Sequence, residues 1–600
     1  MSNQDSVPEQ VAGNGLLHRR TFLTHSAALV SAGAVGLATT DVHAATRQPW
    51  STAPGAPMSA YGDRSRFEAG VVRDPVRSAP GTTGTGASLA PLEKLEGTIT
   101  PNALFFERHH SGIPDIDPDQ HTLLIHGLVK RPLKFDMNAL SRYPMVTRTH
   151  FLECSGNSRM LYAPEPVGGS AGSLHGLVSC AEWTGVPLSM LLDDAGIEPG
   201  AGWILAEGAD AAGMSRSVPL KKAMDDAFIA LYQNGERLRP GNGYPARLFL
   251  PGFEGNANVK WLQRIKVTAG PTMTKDETSR YSDLQADGKS LLFTLTMGVK
   301  SVITRPSAGL NLTAPGLYEI SGLAWSGAGR IARVEVSADG GRSWSDAVLN
   351  EPVLTKSLTR FRIPWHWDGG PAVLLSRAID DAGHVQPTRE ELFSAHGKNQ
   401  MYHCTAIQCW GVDAGERSPM SMYKRRELPL TLAIVLLGTA ASAAGESPNL
   451  GRPATAEEVA ALDLSIGPDG AGLPPGRGTV REGEAIYLQK CLACHGPDGR
   501  NGPNDALSGG IGSLTSATPN KTIGSLWPYA TTLFDYVRRA MPYQQPGSLT
   551  DDEVYAVTAY LLNRNGIVRD NARMDAATLA EVKMPNVDNF IWSDDAGPRP

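Results

Sequence analysis

Cysteine is scarce, six in 600 residues, too few for a disulfide-stapled secreted scaffold. Basic charge is not in surplus either. Lys plus Arg number 55 against 61 Asp plus Glu, a formal charge of −6. The electropositive footprint of a nucleic-acid binder is missing, and no nucleic-acid partner is expected. No apolar run reaches the roughly 20 residues of a membrane-spanning helix, and there is no internal repeat or long low-complexity tract. With 41% hydrophobic and 19% charged residues the composition excludes collagen, coiled coil and wholesale disorder. At about 150 residues per domain the length implies several units.

Two segments read as leaders rather than fold. His18-Arg19-Arg20-Thr21-Phe22-Leu23 is a twin-arginine pattern, followed by an apolar small-residue stretch from Ala27 to Ala38 and a cleavage-like Val42-His43-Ala44. Residues 1–45 therefore read as a Tat-type export signal, which carries folded proteins and suits an enzyme loaded with cofactor before export to the periplasm. Mid-chain, Lys424-Arg425-Arg426 precede an apolar run from Leu428 to Gly438 and then Ala441-Ser442-Ala443. That is a second, Sec-like leader over 420–444, with Met420 or Met422 as a natural start. As a membrane span it would place the preceding domain in the cytoplasm, against the first signal. The expectation is two periplasmic subunits, or their fusion, written as one chain.

Between the leaders the pattern changes twice. Residues 46–90 are rich in Gly, Pro, Ser and Thr and read as an arm. Residues 91–290 mix strand and helix signals, with a short helix expected in Trp183–Gly196, opened near Pro187 and stopped at Gly196. Over 291–412 strands dominate. Ala332, Val334 and Val336 alternate with Arg333, Glu335 and Ser337 before the Asp339-Gly340-Gly341 turn, which suggests a β-sandwich. Residues 445–478 read as a linker, 479–565 as helical, and 566–600 as a tail. Thr550-Asp551-Asp552-Glu553 is a capping box ahead of Val554, Val557 and Leu561 on one helical face.

Cys491-Leu492-Ala493-Cys494-His495 is the C-x-x-C-H signal for covalent haem c. Its thiols bond the porphyrin, and His495 becomes the iron ligand. Zinc would want two more ligands at matching spacing, and a redox C-x-x-C would want a βαβ context; neither is present. The second axial ligand is most often Met. Met541, before Pro542, is favoured over Met584. Residues 480–565 resemble class I cytochromes c, and the string Gly547–Leu562 resembles the haem subunit of bacterial sulfite and sulfane dehydrogenases.

The remaining chemistry centres on Cys154. In Phe151-Leu152-Glu153-Cys154-Ser155-Gly156-Asn157-Ser158-Arg159, a thiol stands among small and polar residues after a β-rich stretch, and a thiolate is a soft ligand for a metal. Cys180 reads as a packing residue. Cys404 and Cys409 could be bridged only if geometry allows. The Cys154 loop is one of several blocks that recur in this order in the sulfite oxidase family of molybdenum enzymes. The others are Phe105–His110, Asn242–Arg247, Pro251–Trp261, Ala324–Arg330 with Asp339–Trp344, and Ala378–Pro387. The resemblance covers about 90–412.

It implies an α+β molybdopterin domain of the sulfite oxidase fold, an immunoglobulin-like dimerisation sandwich, and then the all-α cytochrome. It further implies molybdenum held by a pterin dithiolene and the Cys154 thiolate. Arg108 and Arg159 would line an anionic substrate pocket, and His110, Asp210, Arg247 and Lys260 would surround the pterin and its phosphate. Asn242 departs from the His of the animal sulfite oxidases. Within the family the likeness is to the sulfane dehydrogenases, which implies oxidation of sulfane sulfur carried on a cysteine of a carrier protein. Electrons would pass to haem and then to an external c-type cytochrome. Sulfite oxidation to sulfate is the alternative. A homodimer through the sandwich, or an α₂β₂ assembly of two processed subunits, is implied. Nitrate reduction is disfavoured, since flavin and b-type haem domains are not seen.

Overall fold

The computed structural model describes residues 10–17, 50, 53–76, 81–165, 167–308, 312–413 and 447–596. The second leader, 420–444, and most of the first lie outside the described residues. In chain order the first unit runs through β1 (Glu107–His109), β2 (Thr122–Gly127), β3 (Leu133–Asp136), β4 (Val146–Glu153) and β5 (Val178–Pro187). It continues through α1 (Leu188–Ala195), β6 (Trp203–Gly208), β7 (Ser215–Pro219), β8 (Phe228–Gln233), β9 (Arg247–Phe249) and β10 (Leu262–Thr268). One sheet has the order Arg452–Pro453, β3, β2, β10, β6, β7; a second joins β4, β5 and β8, with β9 and Glu236–Arg237 also on β8.

α1 begins only at Leu188, because Trp183–Pro187 belong to the long strand β5. The apolar residues Leu188, Leu191, Leu192 and Ala195 then recur at helical spacing and are buried, and Gly196 ends the turn at φ +72°, a conformation that favours glycine. Phe249 is fully buried and packs its ring 4.6 Å from Trp183 and 5.2 Å from Phe228.

The second unit is a sandwich of β11 (Lys300–Arg305), β12 (Gly316–Trp325), β13 (Ile331–Ser337), β14 (Thr359–Trp367), β15 (Ala372–Asp380) and β16 (Cys409–Val412). One sheet runs β11, β12, β14, Val348–Leu349, and the facing one Ser345–Asp346, β13, β15, β16. Trp325, Phe361, Trp365, Val334 and Leu374 fill the interior, and the same core extends to Phe151, Cys180 and Trp183 of the first unit. The strict alternation expected at Ala332 fails. The register shifts between Ile331 and Arg333, and this irregularity leaves Ala332 exposed while Ile331 takes the inward place.

The third unit is helical: α2 (Val480–Lys490), α3 (Leu492–His495), α4 (Ala530–Ala540) and α5 (Asp551–Arg564). α5 opens with the Thr550–Glu553 capping box and buries Val554, Val557 and Leu561. No described helix is long and apolar enough to cross a membrane.

Segments read as arm, linker and tail take part in the fold. Gly86–Leu89 pairs with β1. Arg452–Pro453 pairs with β3. Phe590–Trp592 pairs in parallel with Ser290–Leu292, and the Asp595 carboxylate accepts from the Leu295 and Thr296 amides at 2.9 and 2.7 Å. Arg264 on β10 is the knot between units. It is fully buried and donates to Glu207 at 2.7 Å, Asp463 at 2.6 Å and Ser465 at 2.9 Å. Arg539 of α4 pairs with the same Glu207. Arg264→Met leaves Glu207 paired with Arg539 and Asp463 paired with Lys266, and the loss of its buried charge-assisted bonds is expected to cost about 2–3 kcal/mol. Chemical denaturation measures it; a loss below about 1 kcal/mol would contradict this role.

Candidate functional site

The first unit holds a cavity of about 680 Å³, counted to its open mouth, walled by loops at the ends of β1, β4, β9 and β10. Phe105 and Phe106 are buried and anchor the chain entering β1, which presents Arg108 to the cavity. His110 follows, its Nε2 sharing a 2.8 Å hydrogen bond with the Tyr281 hydroxyl. Burial pushes His110 well below and Tyr281 well above their ordinary pKa values, so both stay neutral near pH 7.

Cys154 leaves the end of β4 in a turn held from both sides. Its amide donates to Leu177 O at 2.9 Å, and its carbonyl accepts from Asn157 N at 2.8 Å. Glu153, 1% exposed, accepts from Asn157 Nδ2 at 2.9 Å, Lys300 Nζ at 3.1 Å and Trp325 Nε1 at 2.6 Å. The same Lys300 donates to Ser158 Oγ at 2.7 Å. Two sandwich residues thus grip the loop before and after Cys154. Gly255 closes on it from outside, and a Cβ there would stand 2.9 Å from Glu153 O and 3.3 Å from Cys154 Cα. Burial raises the Cys154 thiol pKa, with the Arg108 charge opposing.

The opposite wall is cationic. Arg247, 2% exposed, donates to Asn242 O and Asn258 O, both at 2.9 Å, while its Nε and Asn242 Oδ1 are buried without a partner. Lys260 Nζ donates to Arg108 O at 3.0 Å and lies 2.7 Å from His109 Nδ1. Burial and the neighbouring Arg247 charge lower its pKa to about 7, against Asp210 and Glu107. Asp210 is buried at the same wall, and burial raises its pKa.

Seven residues singled out by sequence, Cys154, Arg108, His110, Asp210, Asn242, Arg247 and Lys260, therefore meet at one cavity. Arg159 does not. Ser158 takes φ +66°, and the chain turns so that Arg159 is exposed and absent from the lining. Tyr281 was missed; it lines the cavity, and no motif marks it. The orphaned Arg247 Nε and Asn242 Oδ1, the cationic wall and the single soft thiol fit an anionic pterin with a thiolate-bound metal.

A second centre lies on the helical unit. Cys491 caps the short α3 and Cys494 lies within it, and His495 Nδ1 donates to Asp505 O at 2.9 Å. That bond leaves Nε2 as the free lone pair, the tautomer a metal ligand needs. Met541 stands half-buried at the end of α4; Met584 is 1% exposed inside the unit's core. Cys180 is fully buried, and Cys404 and Cys409 are not bridged to each other.

The two centres are joined by contacts on both sides. Arg280, next to Tyr281, pairs with the carboxylate of Asp505, whose carbonyl holds His495. Tyr543, two residues after Met541, has its hydroxyl 2.9 Å from Thr85 Oγ. Thr85 Oγ in turn donates to His110 O at 2.5 Å.

Comparison with known proteins assigns these units. Residues 110–275 match the oxidoreductase molybdopterin binding domain, 292–409 the Mo-co oxidoreductase dimerisation domain, and 480–565 cytochrome c. Mouse mitochondrial sulfite oxidase is 32% identical over 323 residues, covering 50% of this chain and 59% of that protein. Chicken sulfite oxidase is 30% identical over 328 residues, 50% of this chain and 70% of that one. Tomato nitrate reductase [NADH] is 34% identical over 315 residues, 46% of this chain and 34% of that protein. The chain thus spans about three-fifths of the mouse enzyme and a third of the tomato enzyme. The crystal structure of the sulfane dehydrogenase SoxCD from Paracoccus pantotrophus superposes with a TM-score of 0.62 at 41% identity, covering 65% of this chain and 100% of that one.

Lys260 carries a pH signature. Its folded pKa lies near 7 and its ordinary value at 10.5, so between these the unfolded chain holds more protons and stability rises with pH. In cofactor-free protein the denaturation midpoint is expected to climb from pH 7 to 10, and Lys260→Met to flatten the climb. An equally steep rise in the variant would contradict the assignment.

Proposed function

The chain belongs to the sulfite oxidase family of molybdenum oxidoreductases, joined here to a cytochrome c domain, and from that premise we propose that it is a periplasmic sulfane dehydrogenase. In this reading it oxidises sulfane sulfur carried on a cysteine of a carrier protein during thiosulfate oxidation, and passes electrons from molybdenum to haem c and on to an external cytochrome. The cofactors of the enzyme are molybdenum–molybdopterin and haem c. The observation that carries the reading is the pairing of one cationic, thiol-bearing cavity with a cytochrome unit whose His495 is held by Asp505, itself paired with Arg280 beside the cavity residue Tyr281. Likeness supports the substrate: identity to the sulfane dehydrogenase structure is 41%, against 30–34% to the sulfite oxidases and the nitrate reductase compared above.

Bound molybdenum–molybdopterin supplies oxygen transfer and takes up two electrons, and haem c releases them singly. The chain's own residues do the positioning. Cys154 is the protein ligand to the metal, and ligation offsets the burial that otherwise keeps its thiol protonated. Arg247 and Lys260 neutralise the pterin phosphate, with His110, Asp210 and Asn242 shaping the pterin's bed. Arg108 reaches the cavity from β1 and orients the anionic sulfur group by charge-assisted hydrogen bonds. Tyr281, held by His110, offers a neutral hydroxyl to the same space. Arg159 and the 46%-exposed Met160 stand on the surface beyond Cys154, where they suit contact with a carrier protein. On the cytochrome, Cys491 and Cys494 attach the haem and His495 with Met541 ligate iron; Met584 is already committed to the core. The Arg280–Asp505 pair and the Tyr543–Thr85–His110 contacts support an electron path between the centres. The leaders at 1–45 and 420–444 support export of two processed subunits, with the sandwich as the dimer contact.

The test is anaerobic haem reduction in protein shown to contain molybdenum. A persulfide-bearing carrier is expected to reduce the haem rapidly and free sulfite slowly. Rapid reduction by sulfite would instead establish the alternative, a sulfite:cytochrome c oxidoreductase. Arg280→Gln is expected to slow haem reduction about tenfold at unchanged haem content; an unchanged rate would remove Arg280 from the path.

A further inference from the structure

Residues 10–17, just ahead of Arg19-Arg20, are seated on the sandwich. β14 is paired along its whole length with β12 on one side, whereas on the other Val348–Leu349 covers Phe361 and Arg362 and Asn350 N donates to Arg360 O at 2.8 Å. The open stretch Pro364–His366 is filled by this N-terminal segment. Leu17 N donates to Pro364 O at 3.0 Å and His366 N to Gly15 O at 2.7 Å, with Leu16 bridged to Trp365. Trp365 Nε1 donates to Asn14 O at 2.7 Å.

The second sheet takes part as well. Asn14 Nδ2 donates to Ala338 O, and Gly13 N to Ser343 Oγ, both at 2.7 Å. Leu16 and Leu17 are 0% and 1% exposed, and Leu16 is a member of the sandwich core. Asn14 and Gly15 have φ +60° and +87°, the conformation of an Asn-Gly hairpin turn. A Cβ on Gly15 would stand 1.9 Å from His366 O. Strand addition of this kind takes affinity from main-chain bonds and specificity from side-chain pockets.

We propose that the open edge of β14 is a binding site for the chain's own leader, whose Asn14-Gly15 turn delivers Leu16 and Leu17 to that edge as a short added strand. The site is assembled from both sheets, so it exists only when the sandwich is folded. Docking then fixes the chain at Leu17, two positions before Arg19 in sequence, which ties the leader to the folded state. Cutting the leader releases the strand and opens the groove. The role in export rests on the leader reading given under Proposed function; the docking itself does not.

Amide hydrogen exchange on the full chain tests it. The His366 amide is expected to exchange slowly, and about tenfold or more faster in Gly15→Val and in Leu16→Asp. The interior amides of β12 report that the sandwich remains folded. A synthetic peptide of residues 8–18 added to Leu16→Asp protein should restore slow exchange at His366, and the same peptide carrying Leu16→Asp should not. Equal exchange at His366 in the wild-type chain and both variants, with β12 protected throughout, would overturn the docking. The leader reading is tested apart from this, by export of the Arg19→Lys, Arg20→Lys double variant. Its normal export would remove the leader reading while leaving the His366 exchange, and so the docking, as found.

Discussion

The buried ion pair between Glu153 and Lys300 is the constraint on which the rest of the cavity depends. Both side chains are 1% exposed, and they come from different units, one from the strand that ends at Cys154 and the other from the first strand of the sandwich. Two buried charges are tolerated only when each is fully engaged. Here Glu153 is also bonded by Trp325 and Asn157, and Lys300 also reaches Ser158. The loop that carries the thiol is therefore braced by a domain other than its own. This explains why a sandwich with no lining residue in the cavity is nonetheless part of the site.

A similar economy governs the third unit. Arg264 gathers Glu207, Asp463 and Ser465 under the cytochrome, and the C-terminal strand Phe590–Trp592 completes a small sheet of the molybdopterin unit. These fixed contacts set the helical unit against the cavity wall, where Arg280 meets Asp505 and Tyr543 meets Thr85. His495, through Asp505, and the segment after Met541, through Tyr543, are thus each continuous with residues flanking the cavity. The proposed passage of electrons from one centre to the other calls for a connection of this kind, and side chains on both units supply these contacts.

Much of this was legible in the residues. The C-x-x-C-H run and the capping box at Thr550 are local strings whose chemistry is carried by residue type, whereas Arg108, His110, Cys154, Arg247 and Lys260 were marked by the resemblance of their blocks to the sulfite oxidase family. What was not legible depends on placement. Tyr281 lies in a short irregular stretch with no motif around it, and only the fold brings it to His110. Arg159 was expected in the pocket because it matches an arginine that lines it in the sulfite oxidase family, but the left-handed Ser158 turns it outward. Ala332 follows the strand alternation on paper, and a shift of register exposes it. Gly86–Leu89 and Arg452–Pro453 are poor in strand signals, and they pair because neighbouring strands present an open edge to them.

The account stands or falls on Cys154 as the thiolate that closes the metal site. X-ray absorption at the molybdenum edge of the holoprotein, compared with Cys154→Ser, measures this directly. The account predicts that the variant retains its haem and loses one sulfur neighbour from the molybdenum shell. An unchanged sulfur shell in the variant would contradict it.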